Sequence, residues 1–156
     1  MQAIRKPIIF VSLFALVSIV AAQHAGAAEQ GPDRRTVIML DEAGRAAILE
    51  EMRHHLNGIQ TILEALSKND LQMVAKAARA SGMQAAQEAE PHINAQLPQG
   101  FKTLGLSMHK EFDAMADEVE KSRDPKLAQG RLSSIVQKCN ACHGAFQIRG
   151  KAAAGK

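Results

Sequence analysis

Leu49-Glu50-Glu51-Met52-Arg53-His54-His55-Leu56-Asn57-Gly58-Ile59-Gln60-Thr61-Ile62-Leu63-Glu64-Ala65-Leu66 is the stretch on which the fold reading turns. Its apolar residues Leu49, Met52, Leu56, Ile59, Leu63 and Leu66 step by three and four positions, which gathers them on one stripe of an α-helix. The pattern extends back to Asp41 and predicts a helix over 41–66 whose stripe faces a core. Ser67-Lys68-Asn69-Asp70 interrupts it, and the Asp70 carboxylate is suited to accept the free N–H groups of a following helix.

That second helix is expected to reach about Ala89, with Leu71, Val74, Ala78, Ala85 and Ala89 inward and Gly82 a weak point within it. Pro91, Pro98 and Gly100 make 90–100 the longest expected loop. A third helix over 101–121 carries Leu104, Met108, Phe112, Met115 and Val119 at the same spacing. Asp124 followed by Pro125 pairs a cap with a first-turn proline, and so starts a fourth helix expected to continue to about Ile148. Its stripe is Ala128, Leu132, Ile135, Cys139, Cys142 and Phe146. No alternating segment or hairpin signal supports strands, so the fold class expected is all-α, an antiparallel four-helix bundle.

The ends read differently. Arg5 and Lys6 precede an apolar run from Ile8 to Ala22 and then small residues, the order of a secretory signal peptide over 1–27, with Ala25-Gly26-Ala27 at the cut. The run falls short of the roughly 20 residues that cross a bilayer as helix, so no stable membrane span is expected after cleavage. Residues 28–36 read as a flexible arm, 37–149 as one domain and 150–156 as a disordered tail. The formal net charge of +3 includes Arg5 and Lys6, so the leader carries most of the excess. With no Trp or Tyr to stack on bases, nucleic acid is not an expected partner.

The only two cysteines fall in Lys138-Cys139-Asn140-Ala141-Cys142-His143, the C-x-x-C-H form of c-type haem attachment. Thiols three residues apart lie on nearly the same helical face and can form thioethers along one edge of a porphyrin. A histidine immediately after the second thiol can then give its imidazole to iron as proximal ligand. A Cys139–Cys142 disulfide would suit an oxidising compartment, a thioredoxin-like motif has the same spacing but expects a βαβ setting, and a structural zinc site usually needs four paired ligands. One covalent haem c with its iron is therefore the expected cofactor, and an exported, periplasmic location suits it.

With the motif in its last predicted helix, the chain resembles the class II c-type cytochromes, the four-helix family that includes cytochrome c-prime. The likeness covers the whole mature chain in outline. Phe146 matches the family's aromatic three residues after the proximal histidine, whereas Gln147 stands where an Arg is often found, with Arg149 two residues later. The resemblance implies that the first helix lies over the distal face of the haem, and two distal arrangements stay open. Met52, on the stripe, offers a thioether to iron and implies a one-electron carrier, not an enzyme. If Arg45 matches the family's Arg four residues before the distal position, that position is Leu49, which cannot ligate; a five-coordinate protein binding nitric oxide or carbon monoxide follows. Met108 and His55 are further distal candidates, His109 is expected to face solvent off the stripe, and His92 sits in the proline-bearing loop.

The expected partners are redox proteins, met through a basic rim of Lys138, Arg149 and Lys151, or small gas ligands. Many members of the family are homodimers through their first two helices. No nucleophile–base pair or glycine-rich phosphate loop points to catalysis.

Overall fold

The computed structural model describes residues 32–87 and 91–151; the leader, the start of the arm and the end of the tail lie outside them. The elements run β1 (Thr36–Leu40), α1 (Glu42–Ser67), α2 (Leu71–Ala80), α3 (Met83–Gln87), α4 (Pro91–Gln96), α5 (Gln99–Ser122), α6 (Pro125–Ala145) and β2 (Phe146–Gly150). The chain is thus mostly helical, with one small two-stranded sheet.

Aspartates start three of the long helices as their chemistry dictates. Asp41 Oδ1 accepts from Gly44 N at 2.7 Å at the head of α1, and Asp70 Oδ1 accepts from Met73 N at 3.0 Å at the head of α2. Asp124 Oδ1 accepts from Lys126 N at 2.8 Å at the head of α6, beside Pro125 in the first turn. Each satisfies a donor that the first turn leaves without an intrahelical partner.

In chain order α1 packs on α2, α2 on α5 and α5 on α6. Between them lies a closed core of Ile62 and Ala65 from α1, Val74 and Ala78 from α2, Phe112, Met115 and Val119 from α5, and Ala128, Leu132 and Ile135 from α6. A second apolar cluster gathers Ile38 and Leu40 of β1, Ile48 of α1, Ile93 of α4 and Phe101 of α5. Met52, Leu97, Cys142, Phe146 and Ile148 pack against it half-buried.

Four features depart from the sequence expectations. β1 and β2 form a parallel pair with Ile38 opposite Ile148, so α6 stops at Ala145 and not near Ile148. The run Thr36-Val-Ile-Met-Leu hid its period because its exposed side is also apolar: Val37 and Met39 face out while Ile38 and Leu40 are buried. The second helix breaks at Ser81-Gly82, where a Cβ on Gly82 would lie 2.1 Å from Asp113 Oδ1. The proline-bearing loop begins with a helical turn, α4, since a proline in the first turn loses no helical hydrogen bond.

The fourth departure concerns α1. Leu56 and Leu63, expected inward, are 66% and 54% exposed, and the buried positions are Gly44, Ile48, His55, Ile62 and Ala65. The inward face therefore lies one residue earlier in each turn than the apolar stripe. The helix is turned so that Glu51 and His55 reach polar and aromatic partners on α5, which leaves apolar residues outside.

Candidate functional site

The C-x-x-C-H segment occupies the last turn and a half of α6, ahead of β2. Phe146, the C-cap residue, donates its N–H to Cys142 O, and its ring meets Phe101 edge-on at 5.7 Å between centroids. Arg35, just before β1, donates from Nη1 to His143 O at 3.4 Å, and Gln147 Nε2 donates to Arg35 O at 3.4 Å. The end of α6 is thereby fixed to the first strand.

Both cysteines are free thiols, half-buried, and burial pushes both up from the ordinary thiol range; for Cys142 the neighbouring Cys139 adds to the effect. Cys139 Sγ contacts Met108 Sδ at 4.0 Å. Cys142 packs in the same cluster as Met52, Leu97, Phe101 and Phe146. His143 is exposed, at the outer edge of this turn.

The fold thus brings Cys142 and Met52 into one cluster, sets Met108 against Cys139, and leaves Leu49 half-buried on α1. It directs His55 elsewhere. That ring is buried, stacked on Phe112 at 5.7 Å and 18° and edge-on to His109 at 5.0 Å. His109, expected in solvent, is only 3% exposed, because α5 meets the α2–α3 elbow on this side and Ser81 O and Gly82 O accept from its Nδ1 at 2.9 and 3.1 Å.

Helical geometry shows which flanks of α1 and α6 are left uncovered. On α1, Glu51 and Gly58 mark the flank that meets His109 and Ser81, and Leu49, Leu56 and Leu63 lie on the opposite flank. On α6, Arg131 and Lys138 mark the flank tied to Glu111 and Glu118 of α5, and Val136, 38% exposed, and His143 lie opposite. Both leftover flanks carry apolar side chains, and both turn away from the helices that pack beside them. A haem, as a flat apolar group, would need apolar walls beside the thiols and imidazole, and on the motif's own helix Val136 would supply one.

The expected basic rim is partly engaged. Lys138 Nζ lies 3.7 Å from Glu111 Oε1, Lys151 Nζ donates to Gln96 Oε1 at 3.1 Å, and Arg149 Nε donates to Gln147 Oε1 at 3.0 Å. Among the described residues no helix is long and apolar enough to cross a membrane.

Sequence reading missed a polar cluster inside the fold. Glu51 Oε1 lies 3.2 Å from His109 Nε2 and 3.6 Å from His55 Nε2. Hydrogen bonding to His109, and then the close approach of His55, hold the Glu51 carboxyl down to about 2 against the opposing effect of burial. Burial pulls His109 down, but its hydrogen bonds to Glu51 and to the Ser81 carbonyl outweigh this and leave it raised. The signal available was Glu51-x-x-x-His55, one helical turn apart and hence on one face.

Compared with known proteins, the chain matches no family model, no curated protein and no solved structure.

Proposed function

We propose that this chain is an exported c-type cytochrome of the four-helix kind, a one-electron carrier. Its haem would be held by thioethers from Cys139 and Cys142, with His143 proximal and Met52 distal. The observation that carries the reading is the C-x-x-C-H segment in the last turns of α6, with Met52 and Cys142 packed against the same apolar cluster.

When bound, haem iron supplies a ferric–ferrous couple. The chain's residues set the rest. Burial pushes both thiols up, which disfavours the thiolate that thiol exchange requires. A methionine sulfur on the distal side favours the reduced state and so raises the potential. Phe101 and Phe146, packed edge-on, shield the attachment turn from water. Arg149 and Lys151, at the end of β2, place positive charge near this turn for weak docking to acidic redox partners.

Leu49, half-buried on the same α1 flank as Leu56, supports a second arrangement in which a non-ligating side chain lies over the iron and the protein binds nitric oxide or carbon monoxide.

The test is a visible and near-infrared spectrum of the purified, exported chain. Haem absorbance that survives denaturation establishes covalent attachment, and its absence ends the cytochrome reading. A low-spin ferric spectrum with the near-infrared methionine-to-iron band, lost in Met52→Ala, is the carrier result. A high-spin spectrum with carbon monoxide binding, unchanged in Met52→Ala, selects the Leu49 arrangement.

A further inference from the structure

We propose that Glu51, His55 and His109 form a second metal centre, separate from the cysteine motif, which binds one zinc-like divalent cation and ties α1 to α5. One nitrogen from each ring and one carboxylate oxygen converge, all three within 4.8 Å of one another. Zinc takes histidine nitrogen and carboxylate oxygen at about 2.0–2.2 Å, which sets ligand atoms roughly 3.3 Å apart in a tetrahedral shell. Glu51 Oε1 is already 3.2 Å from His109 Nε2 and 3.6 Å from His55 Nε2. Small side-chain rotations complete the approach.

Two independent observations single this cluster out from an ordinary buried ion pair. The first is the orientation of His109. Its Nδ1 is directed at two carbonyl oxygens, Ser81 O and Gly82 O, which can only accept, so Nδ1 carries a proton and Nε2 is the nitrogen that faces Glu51, a metal ligand once the proton it donates to that carboxylate leaves. A backbone carbonyl fixing the far nitrogen of a ligand histidine is the usual support of a metal site. The second is His55. Its side chain is 8% exposed; Nδ1 has no hydrogen-bond partner, and Nε2 stands 3.6 Å from Glu51 Oε1, just beyond hydrogen-bond distance and so influencing the carboxylate mainly through its charge and polarity. Buried polar groups are normally satisfied, and a metal bond to Nε2 would satisfy this one.

The site is also reachable. A cavity of about 400 Å³ borders it, lined by Glu51, His54, His55, Arg79 and Gln84 among others, and offers an entry path and room for a water as fourth ligand. Two imidazoles and one carboxylate suit a borderline cation such as Zn²⁺ in preference to Mg²⁺ or Ca²⁺, which favour all-oxygen shells. On binding, the cation takes the place of any proton shared between His109 Nε2 and Glu51, and that proton leaves to solvent.

The experiment uses the untagged full chain, stripped with a chelator and titrated with Zn²⁺ by calorimetry, with elemental analysis for stoichiometry. One zinc per chain is expected, weakened about tenfold or more in Glu51→Gln. His55→Phe, which keeps the ring stack on Phe112 and removes the unsatisfied nitrogens, should fold as well as the parent and lose the site. The Cys139→Ser/Cys142→Ser chain should keep it. Absence of saturable zinc binding overturns the proposal; so does an affinity unchanged in Glu51→Gln, or binding that disappears only in the cysteine variant. Should His55→Phe fail to fold, the nearly isosteric Glu51→Gln decides.

Discussion

The closed core between α2, α5 and α6 and the apolar cluster at the motif end are built from similar side chains but finished differently. In the first, Phe112, Met115, Val74 and Ile135 are completely buried and every wall is supplied by the chain. In the second, Ile38, Leu40 and Ile48 are buried but Met52, Leu97, Cys142, Phe146 and Ile148 at its edge are half-buried, and farther along α1 Leu56 and Leu63 stand in solvent. A core that closes on itself states what folds. An apolar cluster with half-buried edges beside a thiol is where the proposed haem would have to find its walls.

The comparison can be broken most forcefully at Phe112. Phe112→Ala should cost about 3–5 kcal/mol, read as a fall in the urea midpoint at unchanged slope, because the site is enclosed on all sides. A cost below about 1 kcal/mol would mean that the core is as open as the motif end. Gly82→Ala is next. Its Cβ would meet Asp113, whose Oδ2 accepts from Met83 N at 2.9 Å, so the elbow between α2 and α3 must shift, and a loss of about 1–3 kcal/mol is expected in the same assay.

Acid sharpens the contrast from another side. Glu51 sits at about 2 in the fold against an ordinary 4.5, so the folded state binds its proton less readily than the unfolded chain. The stability this gives is fully present above about 4.5 and is lost as pH falls toward 2. The side chain is 35% exposed, and after solvent screening the effect is about 1–2 kcal/mol. Urea unfolding of chelator-treated protein at pH 6 and pH 3, compared with Glu51→Gln, should show the parent losing more stability than the variant. Equal losses would remove Glu51 from the account. The smallest effect is the most diagnostic of the open flank: Leu56→Ala should change folding stability by less than about 0.5 kcal/mol in a chain lacking both cysteines, yet alter the Soret band of the haem-bearing protein.

How much of this was legible in the sequence follows from the same contrast. The helices of the closed core could be read because their starts are signalled by Asp41, Asp70 and Asp124, whose capping is local chemistry. The cysteine motif was equally plain. Two things were not. The rotation of α1 depends on which residues α5 offers it, and a stripe of leucines outweighs Glu51 and His55 in any count of apolar periodicity. The parallel pairing of β1 with β2 joins opposite ends of the chain, and nothing within either five-residue run names its partner.

That pairing bears on the order in which the molecule assembles. Arg35 meets the carbonyl of His143 across 108 residues, so this contact closes a loop nearly as long as the domain. Non-local pairings of this kind are slow to form, since the entropy of closing the loop is lost before the contact repays it. Among the described residues α6 is the last long helix to be synthesised, and its final turn is secured only when β2 finds β1. For that interval Cys139, Cys142 and His143 stand on an end that the strand pairing has not yet tethered, which is when an attachment of the kind proposed would find both thiols most accessible.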